Sequence, residues 1–428
     1  MRNTVLLLVI LTVLFGTRAA VPTRAQQPVA NTPTFTRDVA PILFKQCVSC
    51  HRPGEIAPMS LMTYELARPW AKSILKVISN GTMPPWHADA PVGTFHNERI
   101  LTDAERTTLT AWAAGGAPKG DDRDLPSAPT FAEGWVLGTP DAVLEMQEDY
   151  QVPATGTVEY EYFYIPTNFS ESKWVKSIEV RPGNRALVHH VLVHYRGKPE
   201  AARVPLARAN AKDMQTPESR HAGQRPQRTD LKDMPQRLIA TYAPGTNPQA
   251  APDGTAFRLE AGGMLELQMH YTAIGKAGSD RTKVGITFAK EPPSRELRAQ
   301  QFFNGTMRLP PGAADVAVTT DLEFVNDATV WGIFPHTHLR GKKWDYKLVL
   351  PSGETRAILS VPRYDFNWQT YYMFAQPLQV PKGAKIVSTA WYDNSPANKA
   401  NPDPSKEVLW GDQTWEEMQY SGVLLSPN

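Results

Sequence analysis

Two cysteines in 428 residues are too few to cross-link an exported domain of this size. Both fall in one short stretch, at Cys47 and Cys50, so the rest of the chain must hold together by core burial. Charge of one sign is missing as well. With 45 Lys+Arg against 43 Asp+Glu the formal net charge is +2, which offers no global field for nucleic acid. Past the first residues, no apolar run approaches the roughly 20 residues that a membrane-spanning helix needs.

The one apolar run is terminal. Arg2 precedes Val5 to Phe15, and small residues come after it at Thr17/Ala19 and Thr23/Ala25. A basic n-region, a short h-region and a small-residue cleavage site read as a secretory signal over residues 1–25. The remainder is therefore expected to be periplasmic or secreted. Loss of Arg2, Arg18 and Arg24 would leave it slightly negative. Pro (38) and Gly (28) are abundant, as in a chain of many short strands and turns. At about 150 residues per domain, two or three domains are expected.

Cys47-Val48-Ser49-Cys50-His51 is a C-x-x-C-H. Two thiols can add to the two vinyl groups of haem while the adjacent His supplies an axial nitrogen, which is why the three residues sit at this spacing. A redox dithiol would not need His51, and a zinc site would need two more good ligands nearby. One covalent haem c is the expectation. Arg37 to Phe44 reads as a short amphipathic helix leading into the motif. A second helix starts at Thr102, with Glu105 in capping-box spacing, turns Leu109, Trp112 and Ala113 to one side, and ends at Gly115-Gly116. Met83, followed by Pro84 and Pro85, is the expected sixth iron ligand, because the prolines make a stiff strap. Met59, Met62 and His87 are the alternatives. His87 and His96 otherwise read as surface or locally hydrogen-bonded residues. Helix, C-x-x-C-H, Met loop and closing helix together resemble a class I cytochrome c domain over residues 34–118.

Residues 119–134 are polar and broken by Pro and Gly, as in a linker. The chain from 135 onward carries strand patterns, for example Val158–Ile165, Val175–Val180, Leu265–Tyr271, Thr329–Ile333, Tyr346–Leu350 and Lys385–Tyr392. Its length suits two β-sandwiches in series. Residues 198–237 are basic and poor in apolar side chains, and read as a long solvated loop with an acidic docking partner as the other reading.

Histidines recur in this half: His189-His190, His270, and His336-Thr337-His338, with Met418 near the end. Residues i and i+2 of a strand share a face, so His336 and His338 can grip one ion. Adjacent His189 and His190 would point apart on a flat strand and can share an ion only at a bulge or a strand end. His194 lies roughly 13 Å along the strand from His190 and is left out. Imidazoles with one thioether suit copper, and the absence of a spare Cys excludes a blue-copper centre.

Val188–Val191, Tyr242-Ala243-Pro244-Gly245, Leu267–Tyr271, His336–His338 and Glu416–Met418 in this order resemble the copper type II, ascorbate-dependent monooxygenases, the peptidylglycine α-hydroxylating and dopamine β-monooxygenase family. The resemblance implies tandem jelly-roll-like β-sandwiches, over 135–290 and 291–428, with one copper each across an open cleft. It assigns His189, His190 and His270 to an electron-transferring copper, and His336, His338 and Met418 to the copper that meets O2 and substrate. The family's peptide-carboxylate clamp is replaced by Phe334, Tyr420 and Gly422, so a glycine-extended peptide is not the expected substrate. With Trp331 nearby, those residues suit an apolar or aromatic molecule or serve as core. The expected fold is thus multidomain, an N-terminal all-α cytochrome c domain followed by all-β sandwiches. The expected activity is O2-dependent hydroxylation of a small organic substrate. It draws on ascorbate or another reductant, with the fused haem as the entry point for electrons and a redox protein as a candidate partner. A non-catalytic haem- and copper-binding electron carrier is the alternative.

Overall fold

The computed structural model describes residues 32–53, 55, 57–131, 134–198, 203–216, 234, 236–243, 248 and 250–428. The signal segment 1–25, Pro244-Gly245 and most of the basic stretch 198–237 lie outside these residues. The chain is mainly β-sheet with a few short helices, and the helices all precede the sheets. Among the described residues no helix is long and apolar enough to cross a membrane.

Helices span Ala40–Gln46, Tyr64–Ala67, Ala71–Ser79 and Asp103–Ala114. The last begins on a full capping box. The Thr102 hydroxyl accepts from the Glu105 N–H at 3.2 Å, and the Glu105 carboxylate accepts from the Thr102 N–H at 2.8 Å. Leu109 and Trp112 on its inner face are buried against Phe35, Val39 and Leu43. The Trp112 indole donates to the Pro118 carbonyl at 3.0 Å, and that carbonyl also takes the Phe35 N–H at 2.9 Å. The segment after this helix therefore returns to Phe35 where the expected linker begins. Gly120 makes that return possible: its φ is +91°, and a Cβ there would lie 2.4 Å from the Thr36 hydroxyl.

Two pairs of sheets come next. In the first pair, a four-stranded sheet runs Glu161–Pro166, Met264–Tyr271, Val188–Arg196, Gln236–Tyr242 in spatial order. It faces a five-stranded sheet of Ala142–Glu145, Lys283–Phe288, Lys173–Arg181, Thr255–Leu259 and Arg295–Glu296 across a core of Val, Ile, Leu and Tyr. In the second pair, Arg298–Phe303, Tyr420–Pro427, Ala328–His336 and Tyr372–Val380 face Thr355–Val361, Gly341–Val349, Lys385–Tyr392, Val316–Phe324 and Ala207–Ala209. Lys385–Tyr392 alternates strictly between half-buried and buried positions, the signature of one covered face. Ala328–His336 is buried almost throughout. One face meets the second core, and the other meets Ala251, Leu297 and Leu424 where the two sandwiches pack together.

Two departures from the sequence boundaries arise from packing. Leu206 and Ala207 are apolar islands in the basic stretch and are buried in the second core, and Ala207–Ala209 pairs with Leu322–Phe324. That part of 198–237 is a strand of the second sandwich and not a solvated loop. Conversely, Arg295–Glu296 pairs in parallel with Thr255–Ala256, so the first sandwich runs past residue 290.

The helical part docks on the second sandwich through residues 86–97. The His96 N–H donates to Met373 O at 2.9 Å, the Ala375 N–H to Thr94 O at 3.0 Å and the Asp89 N–H to Ser360 O at 2.9 Å. Phe95 is buried in the second core and Trp86 packs against it.

Candidate metal centre

The strands Val188–Arg196 and Met264–Tyr271 pair antiparallel with His190 opposite His270, and the register slips between Val188 and His190. His189 is the extra residue at that slip. A bulge turns a side chain that regular pleating would send to the far face, and here it brings adjacent histidines together. Ring centroids lie 5.4 Å apart for His189–His190, 4.9 Å for His189–His270 and 4.8 Å for His190–His270. One nitrogen from each falls within 4.8 Å of the others, which a shared ion could bridge. His189 Nε2 is 3.2 Å from the Asn367 side-chain oxygen, while the buried Nδ1 atoms of His189 and His190 have no partner among the described residues. His194 lies farther along the strand, opposite Glu266.

His336 ends its strand and His338 comes two residues on, with rings 5.1 Å apart. His336 Nδ1 donates to the Gln369 side-chain oxygen at 2.5 Å, and His338 Nδ1 to the Glu416 carbonyl at 3.2 Å. Both tautomers are thereby fixed with the lone pair on Nε2. Among the described residues the buried Nε2 of His338 has no partner. His336 pairs with Tyr420 across the sheet. Met418 lies two residues before Tyr420, its N–H on the Glu417 carboxylate at 3.2 Å and its carbonyl accepting from the Tyr392 hydroxyl at 2.8 Å. Glu417, fully buried, fastens the two segments. Its carboxylate accepts from the N–H groups of His338 at 2.8 Å, Arg340 at 2.6 Å and Met418 at 3.2 Å. Burial pushes the Glu417 pKa up to about 7, against the pull of those donors and of the Arg340 charge.

The two groups are neighbours. Tyr160 lies 5.5 Å from His190, 4.9 Å from His270 and 6.4 Å from His338, centroid to centroid. Phe366 lies 5.5 Å from His189, 5.9 Å from His190 and 5.8 Å from His338. The open cleft that the resemblance implies is thus occupied by a ring from each sandwich. Burial holds His270 down at about 3 and His336 at about 4. It holds His190 and His338 well below the usual imidazole range, with neighbouring imidazoles adding to the effect. These side chains are neutral near pH 7 and have the free lone pairs a metal requires.

The helical part reaches this centre too. A cavity of about 360 Å³ is lined by His338, Tyr364, Phe366 and Asn367 on one side and by Thr82 and His87 on the other. Met83 sits at the start of the same strap, its N–H on Val77 O at 3.2 Å. Cys47 and Cys50 share one turn, in which the Cys50 and His51 N–H groups donate to Cys47 O at 3.1 and 2.9 Å. Burial, with Cys50 second, pushes the Cys47 thiol up to about 12. Among the described residues the buried His51 Nδ1 has no partner. Of the aromatics weighed as substrate contacts, Phe334 and Tyr420 flank the His336 ring at 6.3 and 5.9 Å. Trp331 instead packs between the sandwiches, its indole donating to Ser426 at 3.0 Å.

Sequence reasoning did not single out Tyr160, Phe366, Gln369 or Glu417. Only the Glu416-Glu417-Met418 triplet carried any signal, as two acidic residues beside a candidate ligand.

No protein-family model matches the chain, and no curated protein does. Among solved structures, the major capsid protein P2 of bacteriophage PM2 is similar at 10% identity and a TM-score of 0.27, over 67% of this chain and 97% of that one. An allantoicase is similar at 6% identity and 0.17, over 57% and 81%. Likenesses this loose carry no functional argument.

Proposed function

We propose that the protein is an exported copper-dependent monooxygenase that hydroxylates a C–H bond of a small organic molecule with O2, fed with electrons through a covalent haem. The observation that carries this reading is the pair of convergent imidazole groups, His189/His190/His270 and His336/His338, buried around Tyr160 and Phe366 with unpartnered ring nitrogens. The imidazole groups fit copper better than a hard cation, which takes oxygen ligands, and Met418 is the thioether that the resemblance adds to them. By resemblance to the family, His189, His190 and His270 hold the electron-relaying copper, and His336, His338 and Met418 the one at which O2 is activated. Cys47, Cys50 and His51, with Met83, hold haem c in a domain resembling class I cytochrome c, and the sandwiches take the jelly-roll form. Copper, when bound, supplies one-electron reduction of O2. The protein's own residues then do the rest. Gln369 and the Glu416 carbonyl fix the two Nε2 lone pairs, Glu417 holds the His338 turn to the Met418 segment, and Tyr160 and Phe366 keep water out.

The test is metal analysis of the haem-matured protein, then O2 uptake with ascorbate as reductant across a panel of small aromatic and aliphatic substrates. About two coppers and one haem per chain, with substrate-dependent uptake and a hydroxylated product, are expected. One observation favours a second reading, a haem/copper electron carrier: Tyr160 and Phe366 fill the space between the histidine groups. Full metal content with no substrate-dependent O2 uptake on any compound would decide for it.

A further inference from the structure

We propose that a small organic carboxylate with an apolar body binds between the two sandwiches, held by Arg203, Arg237 and Arg298, and that it ties the sandwiches together.

The sandwiches meet at a cavity of about 340 Å³, within the roughly 300–1,000 Å³ of small-molecule sites, which favour such interfaces. Three arginines from three segments line it. Arg237 belongs to the strand Gln236–Tyr242 of the first sandwich and Arg298 to the strand Arg298–Phe303 of the second, while Arg203 precedes the strand Ala207–Ala209. No Asp or Glu lines this cavity among the described residues. Two carboxylates hold the guanidinia from outside it. Glu260, 2% exposed, accepts from Arg203 and from Arg237. Glu296 accepts from Arg298 at 2.9 Å, and Arg203 lies 2.9 Å from it, off the hydrogen-bonding direction. In these pairs three positive charges share two negative ones. The surplus is counted without Arg258, a fourth lining guanidinium, which lies over the Trp174 ring at 5.7 Å.

One donor is also left over. The Arg237 Nε is buried and has no hydrogen-bond partner among the described residues. A buried N–H without an acceptor is costly, and more so on a charged group. Burial lowers the Arg237 pKa from its ordinary value, with Glu260 opposing the shift and the Arg203 charge adding to it. An acceptor that carries negative charge relieves both the stranded donor and the surplus charge.

The rest of the wall selects the kind of anion. Phe257, Leu297 and Leu425 line the same cavity, and the last two are each 2% exposed. Inorganic phosphate would set its charge against that apolar surface. A carboxylate on a hydrocarbon or aryl body meets both halves, and its plane matches the guanidinium fork. A neighbouring cavity of about 670 Å³ shares Arg203, Arg258 and Arg298 but has Glu260, Glu296 and Asp327 in its wall, which disfavours an anion there. Because Arg237 and Arg298 come from different sandwiches, the ligand bridges them. The site draws on neither histidine group.

The experiment is calorimetric titration of the full chain with benzoate, before and after copper is stripped by a chelator, followed by urea unfolding with and without benzoate. One benzoate per chain, bound equally in both forms, and a higher urea midpoint with benzoate are expected. Arg237→Lys keeps the charge but loses the Nε donor, and Arg298→Gln removes the charge on the second sandwich. Each should weaken benzoate binding about tenfold. Should either variant fail to fold, two further probes on the unaltered chain decide: benzyl alcohol, which has the body without the charge, and inorganic phosphate, which has the charge without the body. Both should bind about tenfold or more weakly than benzoate. Absence of saturable binding at millimolar benzoate overturns the site. So does binding that is lost with copper, binding unchanged in both folded variants, or benzyl alcohol or phosphate equalling benzoate.

Discussion

Glu417 holds more of the centre than any other residue that is not itself a candidate ligand. A buried carboxylate costs several kcal/mol of desolvation unless donors surround it. Here three backbone N–H groups do so, and all three belong to the segments that carry His338 and Met418. Glu417→Ala strands those donors, and a buried unsatisfied group costs about 1–3 kcal/mol. We expect a loss of about 3 kcal/mol in urea unfolding, together with weakened copper binding at one site. Glu417→Gln keeps one acceptor oxygen and should recover most of the stability. Equal losses in both variants would mean that the charge, not hydrogen-bond acceptance, matters. At the ligands, His270→Ala should lower copper content by one ion per chain and leave the other. Met418→Leu is close to volume-conserving, so a packing role predicts a cost below about 1.5 kcal/mol with unchanged copper. A ligand role predicts loss of the copper–sulfur component in X-ray absorption of the reduced protein.

Among the elements, the helix Asp103–Ala114 is the plainest case of local sequence deciding local structure. Thr102 and Glu105 form the capping box that their spacing called for, and the helix stops before Gly115. Thr102→Ala should lower stability by about 1 kcal/mol, read as a shift of the urea midpoint. The His189 bulge shows how far sequence can go. The adjacency of two histidines posed the requirement for a bulge, and the slip after Val188 meets it. Where sequence reading fell short, the cause was long range. Tyr160 and Phe366 look like any core aromatics, and only the packing of one sandwich on the other sets them among the histidines. Leu206-Ala207 is too short an apolar island to reveal a strand by periodicity, because its partner, Leu322–Phe324, is more than a hundred residues away. Gln369 and Glu417 are polar residues whose burial depends on backbone donors and imidazoles that no local pattern announces.

At the scale of the molecule, acid sensitivity results from burying so many imidazoles. His51, His87, His189, His190, His270, His336 and His338 all have pKa values lowered first by burial. Below the unfolded imidazole pKa of about 6.5, the unfolded chain takes up protons that the folded chain refuses, so stability falls with pH. For His270, at about 3, and His336, at about 4, the loss between pH 6.5 and pH 5 is about 2 kcal/mol each. Glu417 acts the other way. Its folded pKa of about 7 lies above the ordinary carboxyl value of 4.5, so its contribution is full below pH 4.5 and is lost as pH rises through 7. One carboxyl cannot offset several imidazoles over the same interval. The metal-free protein should therefore show a lower urea midpoint at pH 5 than at pH 7, and His270→Gln combined with His336→Gln should flatten that dependence. Bound copper should steepen it, because protons then compete with the ion for the same nitrogens. A midpoint that rises on acidification would show that the Glu417 proton outweighs the histidines and that the centre is more open to water than its buried rings indicate.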